Sequence, residues 1–284
     1  MLKQNYEDEY ACWRAEYLLE YPYRMTWVKA LCKLIARRTL PFAVRRYLWD
    51  QWGYLGEQWS RLKRWWAIVW LRHCSLRLKP IRPGFGFGHG QCIDRYYMET
   101  FLERYATDIR GHVLEIADAT YTRRFGGQRV SHSDVLHVTP GHPRSTITAD
   151  LTCADHIHSE TFDCIILTQT LQYIYELRAA LRTLYRILKP GGVVLATFPG
   201  ISQIARYDME RWGEYWRFTT LSSRQLFAEV FPEDCVTVQA YGNIFTAIAF
   251  LHGLVVEELR REELDYHDRD YEMLITVRAM KPQR

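Results

Sequence analysis

No stretch of this chain approaches the roughly 20 consecutive apolar residues that a membrane-spanning helix needs. The amino terminus, MLKQNYEDEY, is acidic and polar and so lacks the basic-then-apolar start of a secretory signal. A cytoplasmic location is the expectation. No Cys-x-x-Cys pair occurs: the seven cysteines, at 12, 32, 74, 92, 153, 164 and 235, are scattered and odd in number, which argues against a disulfide framework or a zinc site built on thiolates. Glycine is also missing where a strand turns into a ligand loop. After the short apolar run GHVLEI stand Ala117, Ala119 and Tyr121, and a side chain at such places adds bulk and disfavours positive φ.

What is present divides the chain in two. Of its 284 residues, 48% are hydrophobic, ample for a packed core. The first 80 residues hold fifteen Lys and Arg against seven Asp and Glu, a net +8, and eight of the ten tryptophans; the remainder carries −4. Residues 1–80 therefore read as a basic, aromatic helical segment, broken near Pro22, Pro41 and Gly53 and ended by the Gly/Pro-rich LKPIRPGFGFGHG. The piece RLKRWWAIVWLRHC suits packing on the main domain, a second copy or a partner protein, with contact to a membrane surface as an alternative. Interleaved Arg and Trp can also bind nucleic acid, but no recognisable module accompanies them and none is expected.

Residues 81–284 alternate regularly. IDRYYMETFLERYATDI has Ile93, Tyr96, Tyr97, Met98 and Phe101 at near-helical spacing, and HVLEI follows as a buried strand. Further strands are expected in RVSHSDVLHV, STITADL, FDCIILT, VVLATF, CVTVQAYG and YEMLITVRAM. Helices are expected in ELRAALRTLYRIL, in TLSSRQLFAEVF with Ser222 and Gln225 at capping-box spacing, and in IFTAIAFLHGLVVEEL. Only about a dozen residues follow Asp134 before the third strand, little room for an intervening helix. The implied fold class is α/β: a Rossmann-like, seven-stranded, mostly parallel sheet with helices on both faces, plus the helical amino-terminal segment.

From about Pro83 onward, the order of these signals resembles the class I S-adenosylmethionine-dependent methyltransferases of the type 11-like kind. The carriers are VLEI, ADLTCADHIHSETFDCIILTQTLQYI, LYRILKPGGVVLATFPG and YWRFTTLSSRQL. The resemblance implies S-adenosyl-L-methionine as cofactor and a small-molecule or sugar acceptor, methylated at oxygen. It implies that Glu115 orders the first loop, that Asp134 accepts the ribose hydroxyls, and that Asp150 with Leu151 lies beside the adenine. Thr168 and Gln169 are then placed where cofactor and acceptor meet. Ala117, Asp118 and Thr120 would line the cofactor loop, with Arg95 and Tyr96 covering it from the preceding helix.

A base is needed only if the acceptor loses a proton as it attacks. Tyr207 and Asp208, beyond the fifth strand, and His252 are the candidates; Arg211, Trp212, Trp216 and Arg217 are candidates for holding the acceptor, or for burying that segment. Asp155, His156 and His158 lack a defined further ligand and read as a solvated turn, so no metal is expected. Two other readings stay open: a methyltransferase-like scaffold that works through residues 1–80, and a cofactor-bound enzyme with other chemistry, since fold does not fix reaction.

Overall fold

A computed structural model describes residues 79–283. The expectations drawn for residues 1–78, including the partner and membrane-surface readings, lie outside the described residues.

Seven strands form one sheet: β1 (Gly111–Ile116), β2 (Val130–His137), β3 (Ile147–Thr148), β4 (Phe162–Thr168), β5 (Leu188–Pro199), β6 (Val236–Tyr241) and β7 (Leu274–Met280). Their order is β3-β2-β1-β4-β5-β7-β6. The first five pair in parallel, and β7 runs antiparallel to both β5 and β6. The central strands are the most apolar because helices cover both of their faces. In β4, Cys164, Ile165, Ile166 and Leu167 are all fully buried.

The helices are α1 (Ile93–Arg104), α2 (Leu177–Ile187), α3 (Arg206–Trp212), α4 (Thr220–Ala228), α5 (Ile244–Leu251) and α6 (Arg261–Asp265). One face of the sheet packs Ala180, Leu181 and Leu184 of α2 and Phe227 of α4; the other packs Tyr97, Phe101 and Leu102 of α1 with Phe250 of α5. The cap of α4 differs from the expected Ser222–Gln225 pair. Thr219 accepts the backbone N–H of Ser222 while the Ser222 hydroxyl accepts that of Thr219, so the box sits one turn earlier, where the chain leaves its extended segment.

The region between β1 and β4 is pared down. A π-helical turn (Thr122–Gly126) and a 3-10 turn (Gly127–Arg129) are the main helical features linking β1 to β2. No helix links β2 to β3, as the sequence spacing implied. The connection can be short because β3 pairs only with Leu136 and His137, the last two residues of β2, so the chain need not travel back along the strand. Among the described residues, no helix is long and apolar enough to cross a membrane.

Candidate functional site

In an open parallel sheet, ligands bind beyond the carboxyl ends of the strands where the order reverses, here between β1 and β4. Glu115, near the end of β1, is buried and accepts the backbone N–H groups of Tyr121 (3.0 Å) and Thr122 (2.7 Å) on its two oxygens. Burial raises its pKa, against the opposing pull of these hydrogen bonds. It fixes the loop between. Within that loop Ala117 adopts φ 72°, a left-handed conformation that glycine would take without strain. Asp118 closes an Asx turn by accepting the N–H of Thr120 (2.8 Å). Tyr121 does not crowd the outer side of the loop: its ring is buried, stacked 6.0 Å from Phe125, and its hydroxyl accepts a hydrogen bond from Arg95 (2.9 Å).

Two expected cofactor residues fall elsewhere. Asp134 lies in the middle of β2, beside Leu114, and is engaged by His112 (2.7 Å) and Thr146 (2.6 Å), so it does not reach the carboxyl end of the strand. Asp134 is the only carboxylate in the strand, and the strand runs three residues further. The residue at the end is His137. Its Nδ1 accepts the N–H of Thr139 (2.9 Å), which leaves the ring proton on Nε2, and its ring stacks 4.1 Å from that of His142. Burial first, then the neighbouring His142, depresses its pKa. Tyr96 turns away as well, its hydroxyl bonded to Asp265 on α6 (2.9 Å) rather than facing the loop after β1.

Beyond β3, Asp150 accepts both the N–H and the hydroxyl of Thr152 on Oδ1 (2.8 Å each), while Leu151 is buried in the core. At the end of β4, Gln169 takes φ 46°, a second strained non-glycine position at the same edge of the sheet. Its N–H is held by Thr197 of β5, its side-chain oxygen accepts from Gln172 (3.0 Å), and the carbonyl of Thr168 accepts from Thr170 (2.9 Å). Gln172 is buried, and its own Oε1 has no hydrogen-bond partner. An unpaired amide oxygen in such a place is costly and fits a donor brought by a ligand. Nothing in the sequence pattern marks Gln172.

The segment after β5 covers part of this edge. Tyr173 donates to Asp208 on α3 (3.2 Å), and the indole of Trp212 lies 6.2 Å from the Tyr173 ring and 6.3 Å from that of His137. Burial raises the pKa of Asp208, and the charge of Glu214 adds to this, while Tyr173 and Arg211 oppose it. Tyr207 points outward; the guanidinium of Arg211 sits 3.3 Å over its ring and donates to its carbonyl. Trp216 and Arg217 hold the segment to the domain: the indole N–H donates to Ile174 (3.0 Å), and Arg217 pairs with the buried carboxylate of Glu214 (2.8 Å) and donates to Gln203 (2.8 Å). His252 caps the far end of α5, where its carbonyl accepts the N–H of Arg82 (3.0 Å), and no hydrogen bond joins it to Asp208 or Tyr173.

Residues 84–196 match the methyltransferase domain family. No curated protein matches the chain. Among solved structures, the chain is similar to a SAM-dependent methyltransferase from Archaeoglobus fulgidus, at 10% identity and a TM-score of 0.45 over 66% of this chain and 94% of that one. It is also similar to the N-methyltransferase NodS from Bradyrhizobium japonicum WM9 in complex with S-adenosyl-L-homocysteine, at 15% identity and 0.43 over 69% and 90%. The [4+2]-cyclase SpnF matches at 14% identity and 0.43 over 69% and 84%.

Proposed function

We propose that this chain, whose residues 84–196 match the methyltransferase domain family, is a class I S-adenosylmethionine-dependent methyltransferase that binds S-adenosyl-L-methionine at the carboxyl edge of β1, β2 and β4 and methylates a small molecule or sugar at oxygen. The observation that carries this reading is the loop after β1. Its glycines are gone, yet Glu115 still clamps the loop from below, Ala117 still takes the left-handed turn, and the bulky third residue is swallowed by the core.

The residues fit the cofactor in three respects. Asp150 spends only Oδ1 on its own turn, leaving Oδ2 for an exocyclic amine. His137 offers an Nε2–H to a ribose oxygen where a carboxylate would accept from the hydroxyl. Gln172 has an unused buried acceptor close to Gln169. When bound, the cofactor supplies an electrophilic methyl on a sulfonium. The chain's own task is to align the acceptor and exclude water. An acceptor hydroxyl must also lose a proton, and Asp208, with its raised pKa and its bond to Tyr173, is the group placed to take it. A proton acceptor at this edge is what favours oxygen as the methylated atom.

One observation favours a second reading. Trp212 leans toward both His137 and Tyr173, and two departures from the family pattern, His137 and the glycine-free loop, meet at the same edge. A scaffold that kept the fold without the chemistry would tolerate all three. Calorimetric titration with S-adenosylmethionine and S-adenosylhomocysteine separates the two. The enzyme reading expects binding of both and a clear loss of affinity in Asp150→Ala; folded protein that binds neither supports the scaffold.

A further inference from the structure

On the sheet face that packs α2, well below the carboxyl edge, the parallel register of β1 and β2 sets His112 directly beside His132, with Asp134 two residues further along β2 on the same face. The Nε2 of His112 lies 2.7 Å from Oδ2 of Asp134, and that of His132 lies 3.5 Å from the same oxygen. One ligand atom from each residue falls within 4.8 Å of the others. From this geometry we infer a binding site for a divalent transition cation of the zinc class, built from two imidazoles and one carboxylate.

The donor set is the first argument. Two neutral imidazoles and a carboxylate suit Zn²⁺ and its neighbours and suit Mg²⁺ or Ca²⁺ poorly, because those ions prefer oxygen. Spacing is the second. Ligands about 2.0–2.1 Å from a tetrahedral ion stand roughly 3.3 Å apart. The His132–Asp134 separation of 3.5 Å already matches, while the His112–Asp134 pair, at 2.7 Å, must open by roughly 0.6 Å to admit the ion. The third is support behind the ligands: Thr146 donates its hydroxyl hydrogen to Oδ1 of Asp134 (2.6 Å), and the edge of the His112 imidazole meets Phe162 (4.7 Å between centroids). Three protein ligands leave a fourth position for water.

The pared-down fold leaves the place open. Because β3 pairs only with Leu136 and His137, the β2 segment that holds His132 and Asp134 has, among the described residues, no strand neighbour on its outer side. The cation would tie β1 to β2 where that strand is least supported. This departs from the expectation of no metal; in the other histidine-bearing turn the ring of His156 reaches the carbonyl of Thr148 (3.2 Å).

The test uses the full chain after treatment with a chelator, titrated calorimetrically with Zn²⁺ and, in parallel, with Co²⁺ followed by its visible absorption. The expected result is one equivalent of Zn²⁺ and the intense band of four-coordinate Co²⁺. His132→Ala, which removes an exposed ring, and the near-isosteric Asp134→Asn are each expected to weaken Zn²⁺ at least tenfold and to abolish the band. The double variant His156→Ala, His158→Ala should leave both unchanged. A hundredfold excess of Zn²⁺ over its Kd should raise the melting midpoint by about 5 °C in the wild type only. Equal Zn²⁺ affinity in the wild type and His132→Ala, or a wild type that binds no Zn²⁺, overturns the site.

Discussion

The hydroxyl of Tyr173 donates to the carboxylate of Asp208 across 3.2 Å, joining the chain just beyond β4 to the helix that follows β5. The bond ties a residue close to the proposed cofactor edge to the proposed base, and either partner can be altered without emptying the core. If Asp208 accepts the acceptor's proton, Asp208→Asn is expected to lower kcat by about 10²- to 10⁴-fold while leaving the affinity for S-adenosylhomocysteine within about twofold. Tyr173→Phe should cost less and shift the acidic limb of the kcat/KM profile upward, because it removes a hydrogen bond that favours the ionised carboxylate. In the wild type that limb should rise with pH above the usual aspartate value. Unchanged turnover in Asp208→Asn would move the base elsewhere.

A second expectation concerns Glu115. Both of its oxygens accept backbone N–H groups inside the core, and an amide offers one acceptor and one donor. Glu115→Gln therefore turns an NH₂ group against a backbone N–H and is expected to destabilise the domain by about 1–3 kcal/mol. The loss should reach the cofactor too, since the clamped loop carries Ala117 and Asp118. Urea melts alongside cofactor titration test this: unaltered stability would show that the carboxylate does not order the loop.

How far the sequence reveals this site depends on which kind of signal a residue leaves. The strands and most helices beyond residue 90 follow from periodicity because each buries a continuous face, but α3 and α6 leave no such pattern. The helix expected over IFTAIAFLHGLVVEEL stops at Leu251, just before Gly253 turns left-handed at φ 70°. The scarcity of helix between β1 and β4 follows from counting residues. Glu115 is legible because a lone carboxylate ends an apolar run. Asp134 misleads for the opposite reason. A strand places alternate side chains on opposite faces, but where it ends depends on its neighbours' hydrogen bonds, and those carry β2 on to His137. Tyr96 and Tyr97 are adjacent tyrosines on one helix; the helix's contacts with α6 decide that one meets Asp265 and the other the carbonyl of Leu264. Gln172 becomes notable only through burial without a partner, which no pattern encodes.

Ala117 yields a third prediction. A non-glycine residue at φ 72° costs roughly 1 kcal/mol. Glycine removes that strain but adds about 0.5 kcal/mol of unfolded-chain entropy. Ala117→Gly is thus expected to stabilise the domain by roughly 0.5 kcal/mol, a rise of about 1–2 °C in melting midpoint, and to leave cofactor affinity equal or improved. A destabilised Ala117→Gly would mean that the methyl group makes contacts worth more than the strain.

The fourth concerns acid. Asp163 accepts the N–H of His112 (2.8 Å) and the ammonium of Lys189 (2.7 Å), fastening the start of β1 to β4 and β5. Burial alone would raise its pKa, but the Lys189 and His112 bonds outweigh burial and hold it below the usual aspartate value. Asp134 is depressed in the same way, burial being outweighed by Thr146 and His112. A group with a depressed folded pKa binds fewer protons in the native state than in the unfolded one. Its stabilisation is therefore complete above the unfolded value of about 3.9 and disappears as pH falls through the folded pKa. Melting midpoints should accordingly decline steeply below about pH 4. Asp163→Asn should lower the midpoint at pH 7 and flatten that decline, whereas a variant with the wild-type acid slope would assign the slope to other carboxylates. Gly111 gives an independent check on the same junction: its φ is 66°, and a Cβ there would collide with Oδ2 of Asp163, so Gly111→Ala must displace the carboxylate and should reproduce the Asp163→Asn profile with an added backbone penalty.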